Sequence, residues 1–179
     1  MVNLSPAELS ARAARIALVL SDNDGVLTDG AVWVSARGEE LLRYSRRDGM
    51  AVERLREHGI ATAIVTREPT EIVKRRAEKL AVAHLFAGVR DKREYLPRIC
   101  AEMRATLAQI AYIGDDVNDL GIIDAIAPHG LTAAPADAMP PVRRRVHLVC
   151  DTEGGKGAFR ELAERLLSLR CDESTGGDR

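Results

Sequence analysis

Three apolar segments of the chain each end directly in acidic or hydroxyl-bearing residues, and this repeated arrangement constrains the fold more than any other feature. The segments 16–20, 60–65 and 110–113 show no alternation of apolar and polar residues. Unbroken apolar runs of this length are typical of strands buried on both faces of a parallel sheet. Stretches that predict helices lie between these segments, at 50–58, 70–80 and 93–104. Strands that alternate with helices predict an open α/β sheet covered on both faces.

The segment 31–44 differs, because its apolar residues form two short groups on either side of a turn at 36–38. This pattern predicts a β-hairpin inserted after the first strand. With 179 residues, the chain is long enough for one well-buried domain, which we expect to span residues 1–170. The polar, glycine-rich residues 171–179 predict a disordered tail.

Charge and cysteine content argue against several partners and compartments. The net charge is −1, so the sequence offers no basic footprint for nucleic acid or for an anionic membrane. Three widely spaced cysteines match neither a disulfide framework nor a zinc motif. Charged residues precede the first apolar run, which is unlike a signal peptide, and no apolar run has membrane-spanning length. We therefore expect a cytoplasmic protein that binds neither nucleic acid nor membrane.

Polar residues follow the apolar segments at points that a parallel sheet brings together. In chain order these residues are Asp22, Asp24, Thr66, Asp115 and Asp116, and Lys92 falls between the second and third segments. The carboxyl ends of the strands in an open parallel sheet form the crevice in which ligands bind. Four carboxylates in one crevice repel one another unless a cation lies among them. Oxygen ligands suit a hard divalent ion, so the sequence predicts an Mg²⁺ site at this edge of the sheet.

The same residues suit phosphoryl transfer through a covalent aspartyl-phosphate. Asp22 is the expected nucleophile, and Asp24 is the expected general acid and base. Thr66 and Lys92 are expected to give a hydrogen bond and a positive charge to the phosphoryl oxygens. The expected metal ligands are Asp22, Asp115 and the backbone carbonyl of Asp24.

These motifs, in this order, resemble those of the haloacid dehalogenase superfamily of phosphatases. The run Asp22–Gly30 is similar to motif one, Thr66 to motif two, Lys92 to motif three and Gly114–Asp119 to motif four. The extended first motif and the segment Gly154–Glu161 resemble specifically the 3-deoxy-D-manno-octulosonate 8-phosphate phosphatase subfamily. The resemblance covers essentially the whole expected domain.

The resemblance implies a three-layer, Rossmann-like, mostly parallel sheet with the inserted hairpin and without a cap domain. It implies Mg²⁺ as the cofactor and a phosphorylated 2-keto-3-deoxy sugar acid as the small-molecule substrate. It also implies a homotetramer in which a neighbour's hairpin or tail covers the entrance to each site. Val32, Trp33 and Val34 on the hairpin are then expected subunit contacts, the alternative being that they pack on their own core.

The fourth motif adds residues that are expected to support the metal ligands. Asp116 is expected to orient Lys92 or a metal-bound water, and the resemblance adds Asn118 and Asp119 to this supporting group.

Motif two departs from the pattern of the family, which usually has glycine where this chain has Arg67. Arg67 puts a bulky side chain where the backbone normally approaches phosphate, or else adds a charge to the pocket. Glu68, Arg76 and Lys79 resemble a branch that acts on nine-carbon 9-phosphates, which implies that they bind the sugar. The segment Arg47–Gly49 instead resembles the octulosonate branch, so both substrates stay open.

Two other functions fit part of the sequence. A receiver domain of a signalling system uses similar groups, but its acidic pair lies on the first strand, whereas here Asp115 and Asp116 follow Thr66 and Lys92. The second alternative is a non-catalytic or accessory domain associated with a sugar-acid cytidylyltransferase. It stays open because Arg67 replaces the glycine that usually approaches the phosphate.

Overall fold

A six-stranded parallel sheet lies between two layers of helices in the computed structural model, which describes residues 4–174. The strands are β1 (Leu18–Ser21), β2 (Trp33–Val34), β3 (Glu40–Leu41), β4 (Ala61–Val65), β5 (His84–Phe86), β6 (Ile110–Ile113), β7 (Leu131–Ala134) and β8 (Leu148–Val149). The helices are α1 (Pro6–Arg15), α2 (Arg46–Glu57), α3 (Glu71–Leu80), α4 (Lys92–Met103), α5 (Leu120–Ile126), α6 (Pro140–Arg143) and α7 (Ala158–Ser174). The expected α/β architecture is therefore confirmed.

The order of the strands places β1 at the point where the chain changes direction across the sheet. The order is β5-β4-β1-β6-β7-β8, and every pairing in this sheet is parallel. Ser21 at the end of β1 is in register with Ile64 of β4 and Ile113 of β6. In open α/β sheets, ligands bind outside the carboxyl ends of the strands at such a switch point. The segments after β1, β4 and β6 therefore meet at one edge.

Alternate residues of β1 pack into two separate apolar cores, which explains its unbroken apolar sequence. Val19 belongs to the core beneath α1, α2, α3 and α7, and Leu18 and Leu20 belong to the core beneath α4, α5 and α6. Side chains of a strand alternate between the two faces of its sheet, so both faces must be apolar when both are covered.

Polar side chains cap the starts of α1 and α4. Ser5 and Glu8 form the expected reciprocal cap of α1. Asp91 caps α4 by accepting hydrogen bonds from the backbone N–H groups of Arg93 and Glu94 at 2.9 and 3.0 Å. This cap makes Lys92 the first residue of α4 and holds it at the sheet edge beside β1.

The hairpin of β2 and β3 is the only strand structure between β1 and α2 among the described residues, as expected. Its apolar residues do not pack on their own core: Trp33 is 70% exposed and Val34 is 65% exposed. At the other end of the chain, α7 continues to Ser174. The expectation of a tail from residue 171 is thus wrong for 171–174, and residues 175–179 lie outside the described part. Among residues 4–174, none of the helices combines the length and the apolar composition that a membrane-spanning helix requires.

Candidate active site

The residues that follow β1, β4 and β6 line one cleft of about 670 Å³. A volume of this size suits a small phosphorylated metabolite. The cleft brings together Asp22, Asp24, Thr66 and Asp115, as the sequence predicts. Four further predicted residues also line it, namely Arg67, Glu68, Asp116 and Asn118.

Lys92 and Asp22 form a buried ion pair at the base of this cleft. The Lys92 Nζ atom lies 2.7 Å from Asp22 Oδ2, and both side chains are almost fully buried. Burial lowers the pKa of Lys92, but the neighbouring Asp22 and Asp119 carboxylates outweigh it, so the pKa is raised and the ammonium stays charged. A fixed positive charge thus lies against the expected nucleophile, where a phosphoryl group would carry its negative charge.

Asp119 is the residue whose importance the sequence understated. Its Oδ1 accepts hydrogen bonds from Lys92 Nζ and from the Tyr112 hydroxyl, each at 2.6 Å. Its Oδ2 accepts from the backbone N–H groups of Asp115 and Asp116 at 2.8 and 3.3 Å. One carboxylate therefore holds both Lys92 and the loop that carries Asp115. Its four-residue spacing from Asp115 is the sequence signal that could have pointed to this role.

The expectation that Asp116 orients Lys92 is wrong, because Asp119 makes that contact. The Asp116 carboxylate accepts a hydrogen bond from the backbone N–H of Val117 at 2.6 Å and caps the short 3₁₀ helix Val117–Asp119. The side chain is exposed and faces the cleft. A role for Asp116 at a metal-bound water stays a prediction.

Three carboxylates converge closely enough to hold one metal ion. Oxygen atoms of Asp22, Asp115 and Asp119 all lie within 4.8 Å of one another. Burial, and then the charge of Asp119, raise the pKa of Asp22 to about 8 against the opposing effect of Lys92. Burial, and then Asp119 and Asp116, raise the pKa of Asp115 to about 7. A divalent cation with oxygen ligands relieves this mutual repulsion, so the donor set fits Mg²⁺.

Within this set Asp22 and Asp115 have the carboxylates best suited to the ion, since Asp119 already accepts four hydrogen bonds. The Asp115 carboxylate packs against Gly25, whose φ is +74° and where an added Cβ would overlap it. Only glycine combines that backbone conformation with the missing side chain. The Asp24 carboxylate is not part of the cluster, which is consistent with the prediction that Asp24 binds through its backbone carbonyl.

The Asp24 side chain is half-buried, and hydrogen bonds through Asn23 connect it to Tyr44 at the base of the hairpin. Its Oδ1 accepts a hydrogen bond from Asn23 Nδ2 at 2.9 Å, and Asn23 Oδ1 accepts one from the Tyr44 hydroxyl at 3.2 Å. Burial raises the pKa of Asp24, which favours the protonated form that a general acid needs. The sequence did not predict the contributions of Asn23 and Tyr44.

The glycine-rich segment before α7 supports the loop that carries Asp22 and Asp24. The N–H of Gly155 donates to the carbonyl of Val26 at 2.8 Å, and an added Cβ at Gly154 would overlap the carbonyl of Gly25. This close backbone packing explains why glycine occupies both positions.

Two predicted substrate residues, Arg76 and Lys79, do not reach the cleft of their own chain. They line a separate pocket between α2 and α3, with Arg46 and Arg56. Arg76 lies over the Tyr44 ring at 5.2 Å and donates a hydrogen bond to the Ser45 carbonyl at 3.0 Å. Within one subunit, the expectation that they bind the sugar is therefore not met.

Comparison with known proteins identifies the family to which this arrangement belongs. No protein-family model matches the chain. It is 36% identical over 156 residues to a 3-deoxy-D-manno-octulosonate 8-phosphate phosphatase of Yersinia pestis, covering 87% of this chain and 82% of the relative. The structure of a hydrolase of the HAD superfamily (subfamily III A) from Legionella pneumophila superposes with a TM-score of 0.87 at 33% identity, covering 94% and 91% of the two chains.

A third relative has a solved structure with ligands. It is the 3-deoxy-D-manno-octulosonate 8-phosphate phosphatase of Moraxella catarrhalis in complex with a magnesium ion, a phosphate ion and a KDO molecule. Its TM-score is 0.85 at 29% identity, covering 94% of this chain and 95% of that one. Together with the cleft geometry, these similarities show that the chain belongs to the 3-deoxy-D-manno-octulosonate 8-phosphate phosphatase family of the haloacid dehalogenase superfamily.

Proposed function

We propose that this chain is an Mg²⁺-dependent phosphatase that hydrolyses 3-deoxy-D-manno-octulosonate 8-phosphate through an aspartyl-phosphate on Asp22. The observation that carries the proposal is the buried contact of 2.7 Å between Lys92 and Asp22, next to the carboxylate of Asp115. The substrate follows from the activity for which the relatives are named. The alternative of an accessory domain without catalysis lacks support, because these relatives are phosphatases and the catalytic set is intact.

In the first step, an oxygen of Asp22 attacks phosphorus and the bond between phosphorus and the sugar oxygen breaks. Asp24 donates its proton to the departing sugar oxygen, which leaves as a hydroxyl. Lys92 and Thr66 stabilise the negative charge on the phosphoryl oxygens. Asp22 and Asp115 would hold Mg²⁺, which would neutralise charge so that an anionic carboxylate can approach an anionic phosphate.

In the second step, Asp24 takes a proton from a water molecule as that water attacks phosphorus. The bond between phosphorus and Asp22 breaks, inorganic phosphate is released, and the Asp22 carboxylate is regenerated. The hydrogen bond from Asn23 keeps the Asp24 carboxyl in one place for both proton transfers. One group therefore acts first as acid and then as base.

We also propose that the protein acts as a homotetramer whose sites are completed by neighbouring subunits. Two observations support this: Trp33 and Val34 are exposed on the hairpin, and Arg76 and Lys79 lie outside the cleft of their own chain. If these two cations bind substrate, they do so in the cleft of another subunit. The net charge and cysteine usage further support a cytoplasmic enzyme without nucleic-acid partners.

A nine-carbon 9-phosphate is the competing substrate, because Glu68 lines the cleft. The test is release of inorganic phosphate with Mg²⁺ from octulosonate 8-phosphate, a nonulosonate 9-phosphate and glucose 6-phosphate, for the wild type and for Asp22→Asn. We expect the highest kcat/KM with octulosonate 8-phosphate and no turnover by Asp22→Asn. A higher kcat/KM with the 9-phosphate would overturn the substrate assignment, and turnover by Asp22→Asn would overturn the mechanism.

A further inference from the structure

A further pocket, of about 340 Å³, adjoins the active-site cleft on the side of β4 and β5. Its lining includes two arginines, Arg67 and Arg90, together with Glu68, Pro69 and Gly88. Arg67 and Glu68 line the cleft as well, so the two spaces share a wall. Neither arginine has an ion pair or a hydrogen bond from its side chain to any other described residue.

Backbone hydrogen bonds place the two arginines side by side. The N–H of Thr66 donates to the carbonyl of Phe86 at 2.9 Å, and the N–H of Val89 donates to the carbonyl of Thr66 at 3.0 Å. Thr66 and Val89 are thus joined directly, and Arg67 and Arg90 are the next residue of each loop. Both loops start from neighbouring parallel strands of the sheet, so their relative position is set by the core.

The side chains that line the cleft are mostly acidic, so an anionic part of the substrate requires a cationic side chain nearby. Among the described residues that line the cleft, Arg67 is the one cationic side chain, against several carboxylates that include Glu68 and Asp116. A phosphorylated sugar acid carries a phosphate at one end and a carboxylate at the other. Lys92 and the metal site account for the charge of the phosphate, whereas the carboxylate would be repelled by the acidic side chains that this chain itself contributes to the cleft. Guanidinium groups bind carboxylates with paired hydrogen bonds, which makes arginine suited to that end.

We propose that Arg67 and Arg90 form a second anion subsite of the active site, which binds the carboxylate of the sugar acid while its phosphate lies at Asp22. The assignment rests on the proposed function. It gives a role to the arginine that replaces the usual glycine of motif two: recognition of the substrate's far end. Glu68, on the same wall, is placed to accept hydrogen bonds from sugar hydroxyls.

The test compares octulosonate 8-phosphate with its methyl ester, which lacks the carboxylate charge, and with p-nitrophenyl phosphate. The variants are Arg67→Gln, Arg90→Gln and Arg67→Lys. The matched control is Arg75→Gln, because Arg75 is also exposed and lines neither pocket. For the free acid we expect KM to rise about five- to tenfold in each Gln variant with kcat nearly unchanged, since exposed charge pairs contribute modestly. We expect Arg67→Lys to retain part of the affinity. KM for the ester and for p-nitrophenyl phosphate should not change.

An equal rise in KM for all three substrates would overturn the proposal, because Arg67 would then act on the phosphate or on folding. Unchanged KM for the free acid in both Gln variants would overturn it too, while leaving the proposed function intact. If the wild type does not hydrolyse octulosonate 8-phosphate, the proposed function fails. In that case octulosonate 8-phosphate is tested as a competitive inhibitor of p-nitrophenyl phosphate hydrolysis. A higher Ki in Arg67→Gln than in the wild type would support the subsite, and an unchanged Ki would overturn it.

Discussion

The Nζ atom of Lys92 lies 2.6 Å from Oδ1 of Asp119, at the first residue of α4. A cation at the N-terminus of a helix is opposed by the helix dipole, so Lys92 needs carboxylates to hold it there. Asp119 supplies one from the loop after β6, and Asp22 supplies the other from the end of β1. The contact therefore joins Lys92 of motif three to Asp119 of motif four at the sheet edge.

Asp119→Asn should reduce kcat about 100-fold, because Lys92 loses the charge that directs it towards the phosphoryl group. Asp124→Asn is the matched control, since its carboxylate pairs with Arg145 and does not line the cleft. We expect kcat of this control to stay within about threefold of the wild type. Steady-state phosphate release measures kcat of both variants, and thermal unfolding verifies that both variants fold. A similar loss of kcat in the two variants would show that kcat does not depend on the contact between Asp119 and Lys92.

Gly25→Ala should weaken magnesium binding, because the new Cβ would overlap the Asp115 carboxylate. We expect the Mg²⁺ concentration for half-maximal activity to rise about tenfold, the equivalent of about 1.4 kcal/mol. Gly59→Ala is the control: Gly59 has a similar φ of +73° but open space around it. It should lower the free energy of unfolding by about 1 kcal/mol and leave the Mg²⁺ requirement unchanged. An equal Mg²⁺ requirement in both variants would contradict this account.

Without metal, stability should fall as pH rises from about 5 to about 8. The pKa values of Asp22 and Asp115 are raised to about 8 and about 7, above the ordinary value of an unfolded aspartate. The folded state then binds more protons than the unfolded state in this range, so raising the pH favours unfolding. We expect a loss of at least about 1 kcal/mol.

Mg²⁺ should reverse this loss, because it binds the deprotonated carboxylates of the folded state. Urea unfolding at several pH values, with EDTA and with Mg²⁺, measures both effects. Metal-free stability that rises between pH 5 and 8 would show that the carboxylates are not stabilised in their protonated form.

Asp24→Asn should trap the enzyme as the aspartyl-phosphate when the substrate is p-nitrophenyl phosphate. Nitrophenolate leaves without a proton, so the first step proceeds, whereas hydrolysis of the intermediate needs the base that asparagine cannot supply. Turnover should fall about 10²- to 10⁴-fold. Intact-protein mass after acid quenching detects the phosphorylated chain, and Asp22→Asn should remain unmodified. Normal turnover by Asp24→Asn would exclude Asp24 as the base.

The double variant Trp33→Ser with Val34→Ser should lower the oligomeric state. Large aromatic side chains contribute most of the binding energy at many interfaces, and Trp33 is 70% exposed in the single chain. Met139→Ser provides the control, since Met139 is 47% exposed and lies outside the hairpin. Sedimentation velocity gives the mass of the assembly that each variant forms. A tetramer that survives the double variant would remove the hairpin from the interface.

Sequence patterns predicted the elements around the site and most of its residues. The apolar runs predicted β1, β4 and β6 to within two residues at either end, because a strand buried on both faces must be apolar throughout. Parallel strands end at a common edge, so the sequence alone sufficed to place Asp22, Thr66 and Asp115 together.

Contacts between distant segments were decided by the tertiary structure alone. Asp116 and Asp119 are alike in sequence, but the short 3₁₀ helix Val117–Asp119 exposes the first and buries the second beneath Lys92. Arg76 and Lys79 matched a substrate-binding pattern, yet α3 carries them to a different pocket. The sequence determined which chemistry the strand ends carry, since local pattern sets strand and helix. Only packing decided which of several similar side chains turns inwards, because that depends on neighbours far along the chain.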